Sequence, residues 1–375
     1  MKITSVSVWT VIVPTIPGRV HSPEYVASTD WDMIPKHIIR LNTNTEYSGI
    51  GESWRGLSIS EIREGAKLLI GKNPETLILQ DIYNFFKDPE NKLEKLDPIG
   101  LGPAYDTYEM AVLDLVGHVR KLPVHALLGG AGRNRIRADY WMGHQTPADG
   151  QKAVERALKN GFTGVKIKCR LEEPMYDRLE AMREVAGPDF KVTVDPNERF
   201  YTAEQAINLA EQLEPLGNIE VFEDPIPKTD IEGYEQIHQS IPFPLAMHLG
   251  DGPGVMRALQ ADAGKGVVDC VNLGGSIFGF QQSAATAASA GLPCWHGSGN
   301  DLGIAETAYI HAAAAAPNCT MASDFVGSWT REDDLIVEPI QFTNGSVTTP
   351  MKPGLGCLID YDAIENYCQS FEELK

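Results

Sequence analysis

From about residue 135 onward, short runs rich in apolar and β-branched residues recur: IRADYWMG, TGVKIKC, FKVTVDPN, IEVFEDP, PLAMHLG, VDCVNLG, LPCWHGS and TMASDF, with centres about 24 to 28 residues apart. Most are separated by stretches with helical amphipathic spacing, among them GQKAVERALKN, DRLEAMREVAG, TAEQAINLAEQL and GFQQSAATAASAG. Eight units of strand followed by helix-length segment predict a closed parallel barrel with helices outside. An open doubly wound sheet does not need eight even units, and no glycine-rich nucleotide fingerprint follows the first strand. The first 130 residues differ: strand patterns in ITSVSVWTVIVP, KHIIRLNTN and SGIGESW precede helical ones in ISEIREGAKLLIG and YDTYEMAVLDLVGHVRK, which reads as an α+β domain beside the barrel. We therefore expect an α+β domain over residues 1–130, a barrel over 131–339, and a return of residues 340–375 to the first domain. HSPEYVASTDWD, polar and without periodicity, reads as a functional loop or a disordered excursion.

Composition narrows the function. With 43% hydrophobic and 22% charged residues in 375, the chain can bury a full core and is not disordered. Fifty-one acidic against 32 basic side chains give a net charge of −19, a field that repels nucleic acid and anionic membranes. No apolar run reaches the ~18 residues needed to span a bilayer, and the N-terminus lacks a signal-peptide layout. Six cysteines without a CxxC spacing fit buried reduced thiols, hence a cytoplasmic protein.

Barrel enzymes carry their chemistry at the C-terminal ends of the strands. There the sequence sets Lys166 and Lys168, two apart and so on one face, then Asp195, Glu223, His248, His296 and Asp324. Singly each has a plain structural reading: a solvated strand edge, a helix cap, a core histidine. Together, at one mouth, they point to chemistry. Asp195 and Glu223 offer hard oxygens to a divalent cation, with His248 a third ligand. A lysine crowded by another cation and a metal loses its proton more readily and can act as a base. A metal on a substrate carboxylate stabilises the charge that forms when the α-proton leaves.

These motifs resemble the enolase superfamily, in its mandelate racemase and muconate lactonizing enzyme branches, over nearly the whole chain. MAVLDLVGHVRKLPVHALLGG, GVKIK, VTVDPN and FEDP carry the resemblance. It implies an α+β capping domain over a modified (β/α)7β TIM-type barrel, with Mg2+ at the mouth. Lys168 would be the base, and Lys166 would assist it and contact the carboxylate. The loop from His21 to Asp32 and the turn at Trp54 would help close the site and choose the substrate. Asp324 matches a position that donates to the substrate carboxylate. Asn197 and Arg170, near the mouth, could touch substrate hydroxyls or a carboxylate, though no spacing requires it. A symmetric homo-oligomer is expected by resemblance alone.

The sequence departs from that pattern in three places. The fifth strand offers His248, with Asp251 as the alternative, where an acidic ligand is usual. Two carboxylates leave the metal site one unit less negative than three, which suits a dianionic sugar acid and admits Mn2+. His296 stands where the racemase branch has a catalytic histidine, but glycines replace its aspartate partner on the sixth strand. That strand also lacks the lysine of two-lysine epimerases. The leading expectation is dehydration of a sugar acid, an aldarate included, to a 2-keto-3-deoxy acid, with Lys168 or His296 taking the α-proton. A racemase or epimerase using Lys168 and His296 on opposite faces is the runner-up. A metal-independent Schiff-base enzyme and a non-catalytic binder are the remaining readings.

Overall fold

The computed structural model describes residues 1–28, 31–77, 101–250, 252–262 and 264–375. Two sheets organise them. In the first, β1 (Ile3–Pro14) pairs antiparallel with β2 (Met33–Thr43), which pairs with β3 (Ser48–Glu52). The last strand of the chain, β13 (Cys368–Leu374), closes the other edge beside β1. Ile3, Val6, Val8, Val11 and Val13 of β1 are buried, as are most residues of the helix Tyr105–Arg120, which lies across β3. The helix comes this close because β3 carries Gly49 and Gly51. A Cβ at either would collide with the carbonyl oxygens of Ala111 and Thr107.

The second sheet is the barrel, with eight parallel strands in chain order: β4 (Arg135–Met142), β5 (Gly164–Lys168), β6 (Lys191–Asp195), β7 (Ile219–Glu223), β8 (Leu245–Leu249), β9 (Cys270–Leu273), β10 (Cys294–His296) and β11 (Ser323–Phe325). β11 pairs back onto β4. Between β10 and β11 the backbone ladder thins to one bridge, Cys294 to Cys319, and side chains span the rest: His296 N–H donates to Ser323 Oγ at 3.1 Å, Val326 N–H to Ser298 Oγ at 3.0 Å and the Trp295 indole to Asp324 at 3.0 Å. β12 (Ser346–Thr348) pairs antiparallel with β4, outside the barrel, so the strand that rejoins the first sheet is β13. Helices alternate with the strands and cover the outer face. Val221, Ala246, Cys270 and Trp295 form a separate apolar cluster from four neighbouring strands, the kind of side-chain layer that fills a barrel interior. No helix among the described residues is long and apolar enough to cross a membrane.

The two layers meet through buried carboxylates. Glu52 accepts from Leu302 and Ala305 N–H at 2.7 and 3.0 Å, at the start of the helix Gly303–Ala315. Glu109 accepts from Ile277 and Phe278 N–H at 2.6 and 3.0 Å, at the start of the helix Ile277–Ser289. Helix N-termini leave such N–H groups unpaired and favour negative charge, so each carboxylate completes a barrel helix. Asp114 does similar work with Ile50 and Leu355 N–H. Lys36, fully buried, reaches Glu52 at 3.0 Å and Asp301 at 2.7 Å.

Candidate active site at the barrel mouth

Strand alternation aims every second side chain at the barrel axis. On β5 this brings Lys166 and Lys168 to the mouth. Lys166 Nζ lies 2.8 Å from Glu223, 3.2 Å from Asp195 and 3.4 Å from Asp324, and 6.0 Å from the centre of the Trp295 ring. Burial alone would lower its ammonium; Asp324, Glu223 and Asp195 overcome that and hold it well above its usual value. Lys168 is more open, 17% exposed, and its Nζ sits on Asp195 Oδ2. Burial would raise Asp195, but Lys168 and Lys166 bring it below the ordinary carboxylate range. Asp324 accepts from the Trp295 indole N–H at 3.0 Å, and burial raises it.

Glu223 Oε1 accepts from Asn272 Nδ2 at 2.8 Å. Asp224, with a left-handed φ of 44°, accepts from His248 N–H at 2.9 Å and pairs with Lys228 at 2.8 Å. His248 is 39% exposed, with Nδ1 at 3.9 Å from Glu223. The part of its ring that is buried, then Lys166 and Lys168, lower it below the ordinary imidazole range, so it is a neutral imidazole with a lone pair to offer. Donor atoms of Glu223, Asp224 and His248 all lie within 4.8 Å of one another. Asp195 stands apart from this group in the grip of the lysines. Asp251, the alternative third ligand, lies outside the described residues.

Five carboxyl groups (Asp195, Glu198, Glu223, Asp224, Asp324) share three ammonium groups (Lys166, Lys168, Lys228), and with all five ionised two negative charges would be left over. Burial, with Asp195 next in importance, pushes Glu223 up to about 8 and Asp224 up to about 6. A divalent cation relieves such crowding, and carboxylate oxygens with one imidazole fit Mg2+ or Mn2+.

His296 is the correction. It does not join the mouth. On β10 the residue aimed inward is Trp295, and the next inward position is Gly297, where a Cβ would collide with the Asn272 amide. His296 points the other way, stacked between Phe280 and Tyr309 at 4.4 and 4.2 Å, with Nδ1 2.6 Å from Gly297 O. Burial pushes it down to about 4. Asp269 bonds His238 and Leu245 N–H at the far end of β9, away from the mouth.

The remaining expected residues surround the mouth at different distances. The segment Arg19–Tyr25 is fastened to the loop after β4, and Trp31 stacks on Trp141 of β4 at 5.3 Å, with the Arg55 guanidinium 5.2 Å from the centre of the Trp31 ring. His21 is buried, 3.9 Å from Asp32. Asn197 is exposed; its contribution is a backbone N–H donated to Asp195 at 2.9 Å. Arg170 lines a cleft of about 440 Å³ with Phe200, Asn208 and Gln212, beside the loops that follow β5 and β6. Trp54 is 45% exposed, donates to Pro103 O at 3.1 Å, and lies at the boundary of the two layers with Glu52 and Asp301. Asn272 and Trp295 belong to the site and lie in no motif, so only their strand-end positions mark them; Asp224 lies in FEDP, beside the Glu223 that the sequence singles out.

Residues 149–363 match the family described as Enolase C-terminal domain-like. Arabinonate dehydratase of Saccharolobus solfataricus is 30% identical over 282 residues, 70% of this chain and 71% of that protein. L-Ala-D/L-Glu epimerase of Bacillus subtilis is 27% identical over 259 residues, 67% of this chain and 69% of that one. The fold superposes with a TM-score of 0.79 on the dipeptide epimerase of Cytophaga hutchinsonii, solved with Mg and D-Ala-L-Val, at 22% identity over the whole of both chains. Eight strands, paired strand-end lysines, the acidic cluster and these matches agree: the chain is a member of the enolase superfamily, an enzyme built for abstraction of a proton next to a carboxylate.

Proposed function

We propose that this enzyme dehydrates a sugar acid to a 2-keto-3-deoxy acid, with Mg2+, or Mn2+ in its place, held by Glu223 and His248 together with Asp195 or Asp224. The observation that carries this reading is the one-sidedness of the mouth. Lys166 and Lys168 both come from β5, β9 presents Asn272 in place of a lysine, and His296 faces the outer helices. Inversion of a centre needs a base on each face, whereas elimination needs one strong base and a proton for the departing hydroxyl.

Lys168, the more open lysine, takes the α-proton, and the ammonium so formed gives that proton to the β-hydroxyl, which leaves as water as the C–O bond breaks. Lys166, kept charged by its three carboxylate neighbours, stays an ammonium and binds the substrate carboxylate. Asp324, raised by burial, is suited to hold a proton and donate to that carboxylate. A bound divalent cation supplies positive charge to the carboxylate as the proton leaves. Asn197 and Arg170 would meet substrate hydroxyls, and His21, with the segment around it, would close the mouth. Residues 1–130 with 340–375 act as the cap on the barrel of 131–339, and the enzyme works as a homo-oligomer.

Proton NMR in D2O with Mg2+ over a panel of aldonic and aldaric acids tests the reaction. Loss of one acid with a deuterium-labelled 2-keto-3-deoxy product is expected. Exchange of the α-proton without elimination would favour a racemase or epimerase instead.

A further inference from the structure

Beside the mouth lies a second buried charged cluster that the reaction does not use directly. Glu173, on the loop between β5 and the helix Met175–Ala186, divides its carboxylate between two partners. Oε1 is 2.5 Å from His144 Nδ1, and Oε2 is 3.2 Å from Arg178 Nη1. All three side chains are buried, at 5%, 1% and 0% exposure for His144, Glu173 and Arg178. Arg178 in turn donates to the carbonyl of Lys168 at 2.9 Å and to that of Gly143 at 2.7 Å. It thus grips the ends of β4 and β5 together.

The other side of the cluster belongs to the segment over the mouth. Ser22 N–H donates to His144 O at 2.8 Å, and Gly143 N–H donates to Val20 O at 3.0 Å. Ser22 Oγ accepts from Thr146 N–H at 3.0 Å and donates to Asp149 at 2.7 Å. Tyr25 sets its ring edge-on to His144, centroids 6.4 Å apart. Further along the segment, Trp31 stacks on Trp141, whose backbone pairs with Lys166. His144 therefore holds the segment by its backbone carbonyl, which accepts from Ser22, and by the edge of its ring against Tyr25, while its Nδ1 is held by Glu173, whose other oxygen meets the Arg178 that donates to the Lys168 carbonyl. Burying three ionisable groups is expensive unless each is paired. Here the pairing joins two elements that are remote in sequence.

We propose that Glu173 is a positioning residue: through His144 and Arg178 it ties the segment over the mouth to the strand end that carries Lys168, so that covering the mouth and setting the lysine are one event. This rests on the reading of Lys168 as the base. A carboxylate is suited to the task because its two oxygens serve two donors at once; an amide offers one acceptor and presents a donor to the other partner.

The test is Glu173→Gln in the full chain, followed by near-ultraviolet circular dichroism of the Trp31–Trp141 pair and by amide hydrogen exchange. We expect the tryptophan signal to collapse and protection to fall at least about tenfold both in residues 19–25 and in residues 167–170, with β6 to β8 unchanged. Ser22→Ala, which removes the hydroxyl's bonds to Thr146 N–H and Asp149 and leaves Glu173 untouched, is expected to loosen residues 19–25 alone. Glu173→Asp keeps the charge that Arg178 requires but is one methylene too short to span both partners. It is expected to give the same double loosening in smaller measure, and it carries the test should Glu173→Gln not fold. Loosening of only one segment, or of neither, overturns the proposal. None of these readouts uses turnover, so a wrong choice of base would leave them standing and would show instead in Lys168→Ala kinetics.

Discussion

The mouth and the boundary between cap and barrel both bury carboxylates, yet they treat them in opposite ways. At the boundary Glu52, Glu109 and Asp114 are met mainly by backbone N–H groups, which cannot move without unwinding a helix or strand. At the mouth Asp195, Glu223, Asp224 and Asp324 are met chiefly by long lysine side chains, and they crowd one another. A complete set of fixed donors makes a carboxylate part of the scaffold. An incomplete set of movable ones leaves charge available for a cation and a substrate. The difference sets the carboxylates of the mouth apart from those of the scaffold where burial cannot, since both kinds are inaccessible to solvent.

The comparison can be broken at its strongest point first. Lys168→Ala is expected to lower kcat by about 10²- to 10⁴-fold, the usual contribution of a positioned base, with thermal stability and metal binding retained. Undiminished turnover would remove Lys168 from the chemistry. At the boundary the order should invert. Glu52→Ala leaves Lys36 buried with one partner, Asp301, and two helix N–H groups unpaired. Urea unfolding should report a loss of about 3–5 kcal/mol, while turnover of the molecules that remain folded changes little.

His248→Ala sharpens the contrast within the mouth. Isothermal titration with Mn2+ should show affinity falling about 100-fold, and by far more than in Asp251→Ala; the reverse order would reassign the ligand. The smallest effect concerns His296. Its folded value of about 4 lies below the ordinary imidazole range, so the unfolded chain binds the extra proton between the two. Stability from this group is therefore complete above pH ~6.5 and is lost as pH falls toward 4, by up to about 3 kcal/mol. His296→Phe should flatten that acid-side loss in unfolding experiments and leave turnover within a few-fold. A collapse of activity would return His296 to the catalytic set.

How far the sequence discloses all this depends on what each feature rests upon. The barrel strands are legible because β-branched runs between amphipathic stretches are a local signal, and Lys166 and Lys168 because the two-residue spacing fixes one face. The direction of His296 is not legible. A parallel barrel strand is apolar on both sides, so Cys294, Trp295 and His296 show no alternation, and only Gly297 beside Asn272 fixes which way the ring turns. Asn272 is not legible either, because an uncharged side chain in an apolar run gives no sign that it meets Glu223 at the mouth. The GPG opening of the helix Gly252–Asp262 looks like a breaker, yet proline is tolerated in a first turn. The polar stretch from His21 to Asp32 signals a loop, but its fastening to His144 and Thr146 joins positions more than 120 residues apart, which no local pattern can announce.

The thin joint between β10 and β11 has a consequence for the mechanics of the mouth. Counting strands around the ring, that joint is diametrically opposite the contact of β6 with β7, the strands that end in Asp195 and Glu223. A hoop with one weak stave deforms there and keeps its shape across the diameter. Opening at that joint would strain the 3.0 Å bond from the Trp295 indole to Asp324 that spans it, and would leave the two carboxylates across the ring at their spacing.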